Sequence, residues 1–197
     1  KKETTDEKFV LGAEESFGLL KGDYARDKDG ATGALPLAEY AAELKREGKT
    51  LYDRLLELYG EHGVYVERLA NAYFPGASGF EKMQTVMADL RKSPLESLEG
   101  HKVTAMLDYQ SLERRDISTG NITPIDCIKG NVVVLEFDGD PRRRITIRPS
   151  GTEPKLKFYV QWHEDATGQS EVAVQYEKID AKLESLSMTL EGLLLDS

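Results

Sequence analysis

Covalent and metal chemistry have little to build on in this sequence. Cys127 is the one cysteine, so no internal disulfide can form, which fits a reducing compartment, the cytoplasm. The three histidines, His62, His101 and His163, stand far apart, with no metal-ligand spacing. No apolar run approaches the ~18–20 residues that a membrane span needs. The stretch from Lys1 to Lys8 is mostly charged, and no apolar signal core follows it.

Positive charge is also in short supply. Lysine and arginine total 26 against 35 acidic residues, a net charge of −9. A non-specific nucleic-acid binder needs a broad basic face, and so does a protein that adheres to anionic membranes. No nucleic-acid partner and no membrane partner are therefore expected. An anion site stays open to an acidic protein, because a few local residues make such a site.

What is present suffices for a packed core. Apolar residues make up 40% of 197, enough for one ordinary domain or two small ones. Phe9-Val10-Leu11, stopped by Gly12, reads as a strand entering a loop that runs to Gly30. A helix is predicted over Ala34–Glu47, with Pro36 in its first turn and Gly48 at its end. Thr50 and Asp53 predict a capped second helix, and Ser78 to Glu81 a capping box before the apolar stripe Phe80, Met83, Val86, Met87 and Leu90. Pro94 and Gly100 bracket a predicted linker at residues 92–101.

Beyond that linker the pattern turns to strands. They are predicted over residues 102–109, 132–137, 144–148 and 155–163, with a turn at Asp138-Gly139. In the last, Leu156, Phe158, Val160 and Trp162 alternate with Lys155, Lys157, Tyr159 and Gln161, and the two lysines read as pointing away from the preceding loop. Residues 170–195 form the longest predicted helix. Its stripe of Val172, Tyr176, Ile179, Leu183, Leu186, Leu190 and Leu193 suits either a cover for the sheet or a coiled-coil dimer, and the sheet's need for a cover favours the first. The fold expected is an α/β domain over residues 1–92, then an α+β domain over residues 101–197 with an antiparallel sheet covered by helices.

Three segments carry chemistry. In Arg148-Pro149-Ser150-Gly151-Thr152-Glu153-Pro154, Arg148 offers a planar fork of donors that matches a phosphate, and Ser150 and Thr152 add hydroxyls. Gly151 lets backbone amides approach an anion and can adopt dihedrals other residues avoid, while the two prolines stiffen the turn. On composition alone the segment is a turn or an anion loop. Gly12-Ala13-Glu14-Glu15-Ser16-Phe17-Gly18 sets carboxylates and a hydroxyl on a glycine-flanked turn, able to grip vicinal sugar hydroxyls or simply to be an acidic loop. Arg26-Asp27-Lys28-Asp29-Gly30 alone is a solvated charge run before a helix.

Together, in this order and about 130 residues apart by position, the two loops resemble the α-D-phosphohexomutases, the phosphoglucomutase and phosphomannomutase superfamily. The first string matches that family's phosphate-binding loop along its length. The second resembles its sugar-specificity loop, with Ala13 inserted between Gly12 and Glu14. The resemblance implies that Glu14 and Ser16 hold sugar hydroxyls, that Lys28 reaches the substrate, and that Arg148, Ser150, Gly151 and Thr152 hold phosphate. It implies a phosphosugar substrate, with Ser16 favouring a hexose over a pentose, and it leaves glucose and mannose undistinguished, since the sugar loop contacts hydroxyls that both share.

The resemblance further implies a C-terminal part of a larger enzyme: the end of a third domain, hence only a partial α/β domain, plus a fourth. The family's phosphorylated serine and magnesium loop would lie in missing N-terminal domains. No catalytic serine loop is recognisable here, so Lys28 is the one candidate catalytic residue and the chain alone is expected to be inactive. Asp138-Gly139-Asp140 imitates the magnesium loop, but Arg142 stands where a third carboxylate is needed, so a hairpin turn is expected and no metal. The parent would pass a phosphoryl group from phosphoserine to a hexose 1- or 6-phosphate through a bisphosphate. The alternatives are a non-catalytic phosphosugar or anion-binding module, and a domain that dimerises through its last helix.

Overall fold

A computed structural model describes residues 8–14, 18–23 and 27–195. Two compact units emerge, Lys1–Glu57 and Leu58–Ser197.

In the first unit, β1 (Leu11–Glu14) and β2 (Gly18–Lys21) form an antiparallel hairpin, with Leu11 opposite Lys21 and Glu14 opposite Gly18. Helix α1 (Gly30–Arg46) follows. It starts four residues before the predicted Ala34 because Asp29 is its cap: the Thr32 amide donates to Asp29 at 2.6 Å, and the Thr32 hydroxyl donates as well. Those bonds hold the Asp29 carboxyl below its usual range. Pro36 therefore lies inside α1 rather than in its first turn. Helix α2 (Leu51–His62) opens on a reciprocal box, with the Asp53 amide donating to the Thr50 hydroxyl at 3.1 Å and the Thr50 amide donating to Asp53 at 2.8 Å. Among the described residues of this unit only Gly18 and Leu44 are buried. Leu35, Leu37, Tyr40, Tyr52 and Leu55 remain exposed, so the helices lack the cover an amphipathic face requires.

The second unit is a sheet under helices. Its elements are β3 (Val64–Tyr73), α3 (Gly79–Lys92), β4 (Ser97–Leu98), β5 (His101–Asp108), β6 (Glu113–Asp116), β7 (Ile122–Pro124), β8 (Val133–Phe137), β9 (Asp140–Pro149), β10 (Lys155–Glu164) and α4 (Val172–Leu195). The strand order is β3-β10-β9-β8-β5-β6-β7, with β4 attached to β5 and every pairing antiparallel. Leu156, Phe158, Val160 and Trp162 are buried, as the alternation predicts. Helix α4 covers this face, burying Val172, Ile179, Leu183, Leu186, Leu190 and Leu194, so the stripe is a sheet cover, with two departures: Tyr176 is half-buried and stacked on Tyr59, and Leu193 is exposed where Leu194 turns inward instead. No helix among the described residues is long and apolar enough to cross a membrane.

The division expected at residues 92–101 is not where the compact units part. They part between Glu57 and Leu58, inside α2, so that residues 58–62 of that helix belong to the second unit. The reason is β3, which pairs with β10 from Val64 opposite Glu164 to Tyr73 opposite Lys155. Residues 64–92 thereby belong to the second core, and Met83, Val86, Met87 and Leu90 of α3 are buried in it. Pro94 ends a helix without ending a core.

Asp138 and Gly139 have φ of 54 and 75, the left-handed pair that a two-residue hairpin between β8 and β9 demands. Asp138 accepts from the Lys102 amide at 3.0 Å and meets His101 at 2.7 Å. Asp140 receives two bonds from the Arg142 guanidinium, each 2.9 Å. Asp138-Gly139-Asp140 is thus a turn with its carboxylates engaged.

Leu183 is fully buried, so Leu183→Ala should cost ~2–5 kcal/mol in denaturant unfolding. Its sedimentation coefficient should match that of the parent chain; loss of a dimer would instead revive the coiled-coil reading. A second expectation concerns acid. The Arg142 guanidinium holds Asp140 at about 2, and the Ser118 and Thr119 donors hold Asp116 at about 2. An unfolded aspartate titrates near ~3.9. The folded state therefore binds these protons less readily, and the stabilisation is whole above about pH 4–5 and lost as pH falls toward ~2. Thermal melts should give a fall in Tm across that acid window, shallower in Asp140→Asn; a Tm that holds to about pH 2 would contradict it.

Candidate functional site

The phosphate-type string occupies the turn between β9 and β10. Arg148 and Pro149 end one strand, Lys155 begins the next, and residues 150–154 make the loop. The Ser150 amide donates to the Lys155 carbonyl at 2.9 Å, and the Lys155 amide to the Glu153 carbonyl at 2.8 Å. The Ser150 hydroxyl accepts from the Thr152 amide at 3.4 Å. Arg148, Gly151 and Thr152 are exposed, Ser150 half-buried.

The loop is tied to what precedes it in the chain. The Phe74 amide, just past β3, donates to the Pro154 carbonyl at 2.8 Å. Gly79, first residue of α3, lies so close that a Cβ there would collide with the Phe74 carbonyl oxygen and touch Pro154. Glycine is needed at 79 for this approach. It is not needed at 151 for conformation, contrary to the expectation: Gly151 is not left-handed, and a Cβ there meets nothing. What Gly151 provides is an uncovered backbone.

Lys157 is the residue that the sequence reading misplaced. It stands directly opposite Arg148 in the β9–β10 pair, so the two side chains share one face of the sheet. Neither side chain has a hydrogen-bond or ion-pair partner among the described residues. The other cations of this region are committed. Lys155 pairs with Glu153 at 2.6 Å and sits over the Tyr73 ring at 5.3 Å. Arg142 binds Asp140, Arg143 lies over Trp162 at 5.6 Å, and Arg144 donates to Gln161 at 2.7 Å. These three arginines begin β9, at the end away from the loop.

The sugar-type loop is described in part. Glu14 ends β1 opposite Gly18, and Ser16 lies outside the described residues. Asp29 exchanges two backbone bonds with Leu19, each 3.2 Å, which brings the Lys28-Asp29-Gly30 segment alongside β2. The aliphatic stem of Lys28 crosses Gly18 so closely that any side chain at Gly18 would occupy its path. Glu14, Gly18 and Lys28 are thus brought together at one end of the hairpin. Among the described residues no cluster of three or more His, Cys, Asp or Glu could hold a metal.

Residues 1–61 match the family model "Phosphoglucomutase/phosphomannomutase, alpha/beta/alpha domain III", and residues 85–177 match "Phosphoglucomutase/phosphomannomutase, C-terminal domain". The phosphoglucomutase of Staphylococcus haemolyticus is 36% identical over 159 residues, covering 81% of this chain and 28% of that protein. The phosphoglucomutase of Staphylococcus aureus (strain MRSA252) is 36% identical over 152 residues, covering 77% of this chain and 27% of that protein. The chain therefore spans under a third of the length of these relatives. In fold it resembles the open form of the exocytosis-sensitive phosphoprotein pp63/parafusin of Paramecium, with a TM-score of 0.54 at 21% identity, over 95% of this chain and 31% of that one.

The shared face of Arg148 and Lys157 gives a direct test. Isothermal titration of inorganic phosphate into the chain should show Lys157→Ala binding roughly threefold to tenfold more weakly, since ~1.4 kcal/mol is tenfold. Arg142→Ala, at the other end of β9, should bind like the parent chain. Unchanged affinity in Lys157→Ala would remove that lysine from the site.

Proposed function

We propose that this chain, which belongs to the phosphoglucomutase/phosphomannomutase family and matches its domain III and its C-terminal domain, supplies the sugar-binding and phosphate-binding parts of a cytoplasmic phosphohexomutase. One observation carries the reading. In a chain of net charge −9, two cations with no partner among the described residues, Arg148 and Lys157, face the same way at the root of an anchored, uncovered loop.

In this reading the parent interconverts hexose 1-phosphate and hexose 6-phosphate. A phosphoserine outside this chain gives its phosphoryl group to the free hydroxyl of the hexose phosphate. The bond from phosphorus to the serine Oγ breaks, the new ester bond forms at the sugar hydroxyl, and the proton of that hydroxyl passes to the departing serine oxygen. The bisphosphate then returns its other phosphoryl group to the serine. Both ends of the sugar must therefore reach the serine in turn. Arg148 and Lys157 hold whichever phosphate is not reacting, with the Ser150 and Thr152 hydroxyls and the Gly151 amide donating to its oxygens. Glu14 and Ser16 hold ring hydroxyls, and Lys28 reaches the substrate from beside Gly18. The contribution of such residues is positioning and charge stabilisation rather than covalent chemistry.

The resemblance also implies magnesium in the parent. Asp138-Gly139-Asp140 does not fit the ion, because its carboxylates already serve the Lys102 amide, His101 and Arg142. We place the ion outside this chain, and no step above runs through it.

The test is the charge at 148 in a full-length enzyme carrying this segment. A hydrogen bond to a charged group is worth ~1.5–3 kcal/mol. Arg148→Ala should thus lower kcat/KM for glucose 1-phosphate roughly 10- to 150-fold. Ser150→Ala and Thr152→Ala should each cost less, as each removes one neutral donor. An Arg148→Ala enzyme with wild-type kcat/KM would overturn the proposal.

A further inference from the structure

We infer that the open face of the sheet beside the phosphate loop carries a second set of sugar contacts, formed by Asn71, Tyr159 and Thr146, so that a hydroxylated phosphate ester lies across β10 with its phosphate on Arg148 and Lys157. The inference rests on the phosphate reading of Arg148. Two registers lead to it. Lys157 stands between Arg148 on β9 and Asn71 on β3, and Tyr159 stands between Thr146 on β9 and Leu69 on β3. Directly paired residues of an antiparallel sheet share a face, as do residues two apart on one strand. All six therefore project from the side of β10 opposite its buried Leu156, Phe158, Val160 and Trp162. The two rows lie ~7 Å apart along the strand.

What marks this strip is the state of its polar groups. The rows on either side are bonded. On one side Lys155 pairs with Glu153 at 2.6 Å and sits over the Tyr73 ring. On the other, Gln161 donates to Glu67 at 2.6 Å and accepts from Arg144 at 2.7 Å. Between them, Asn71, Lys157, Arg148, Tyr159 and Thr146 make no side-chain hydrogen bond or ion pair among the described residues, although all but Arg148 are half-buried. The chemistry for internal bonds is present, since a lysine can donate to an amide oxygen and two hydroxyls can bond each other. These groups are nonetheless left to water or to a ligand. Charge then selects the ligand. Two cations in one row suit one phosphate, and the cations of the flanking rows, Lys155 and Arg144, are already bonded, so a second anion would find no free charge. The remaining groups, an amide and two hydroxyls, are neutral, and each both donates and accepts. An apolar substituent would strip their water and return no bond. Sugar hydroxyls also donate and accept, and so replace that water group for group.

The experiment titrates glucose 6-phosphate and methyl phosphate, whose organic group has no hydroxyl, into the ¹⁵N-labelled 197-residue chain and follows amide shifts. Glucose 6-phosphate should bind roughly tenfold tighter. It alone should shift Asn71, Thr146 and Tyr159, while both ligands shift residues 148–152. Tyr159→Phe removes one hydroxyl and keeps the ring. It should cut the advantage of glucose 6-phosphate about threefold, as should Asn71→Ala, with methyl phosphate binding as before. A folding defect would weaken both ligands together, so the ratio of the two affinities reads the contact itself. Equal affinities in the unsubstituted chain, an advantage whose shifts fall on Glu14 and Gly18 instead of the strip, or a ratio that survives both substitutions overturns the strip while the phosphate loop stands. If neither ligand shifts residues 148–152, the phosphate reading fails and takes the strip with it.

Discussion

Strand β10 is hydrogen-bonded on both sides, to β3 along its whole length and to β9 along its first half, and the placement of every candidate phosphate ligand derives from those two registers. In an antiparallel pair a slip of one residue turns each side chain to the other face. Here a slip would drive Lys157 into the core and lift Phe158 into water. The buried set of Leu156, Phe158, Val160 and Trp162 opposes it, because exposing those side chains would forfeit several transfer free energies of ~1.5–3 kcal/mol each. The core therefore sets the register, and the register sets Lys157 opposite Arg148. The same strand fixes the loop's far end, since Pro154 immediately precedes it and takes the Phe74 amide.

Charge completes the argument that geometry begins. A surface cation is ordinarily neutralised or solvated, and most of the arginines and lysines around this sheet have partners: Arg68 with Asp180, Arg91 with Asp108, Arg114 with Glu136, Lys182 with Glu164. Such pairs contribute modestly to stability. Two facing cations with no such partner contribute nothing to it and repel each other. Their juxtaposition costs stability unless an anion joins them, which is what the proposed phosphate site would supply.

The elements were legible where local chemistry decides them. The reciprocal box of Thr50 and Asp53, the Asp138-Gly139 hairpin turn and the alternation from Lys155 to Trp162 each act within a few residues, and each took the form the pattern implies. Not every local pattern held: Ser78 precedes α3 but makes no side-chain cap hydrogen bond, so the capping box expected there does not form. Other misreadings came where distant pairing decides. Pro94 and Gly100 look like a domain edge, but β3 is claimed by β10, some ninety positions later, and no local signal records that. Counting alone misplaces Lys157: a five-residue loop over 150–154 would set Pro149 against Lys155 and Arg148 against Leu156, whereas the Ser150 amide bonds the Lys155 carbonyl, so that Pro149 faces Leu156 and Arg148 faces Lys157. Alternation along β10 fixes which side chains share a face, but only the pairing across the turn fixes which of them meet Arg148. Asp29 was visible as a cap residue before Gly30, yet Pro36 pulled the predicted start of α1 too late.

The two halves of the proposed site rest on unequal foundations. The phosphate loop hangs from strands whose inward side chains are fully buried, so its geometry is fixed before any ligand arrives, and the ordering cost of binding is small. The hairpin that carries Glu14 and supports Lys28 belongs to a unit in which only Gly18 and Leu44 are buried among the described residues. Its helices still show Leu35, Leu37, Tyr40 and Tyr52 to solvent. Apolar area left uncovered gives no hydrophobic stabilisation, and a loop on such a base gains rigidity only when that area is covered. The anion affinity proposed for the β9–β10 loop would therefore rest on the scaffold of residues 58–197 alone. The sugar contacts proposed for Glu14 and Lys28 would gain rigidity from whatever covers the exposed faces of α1 and α2.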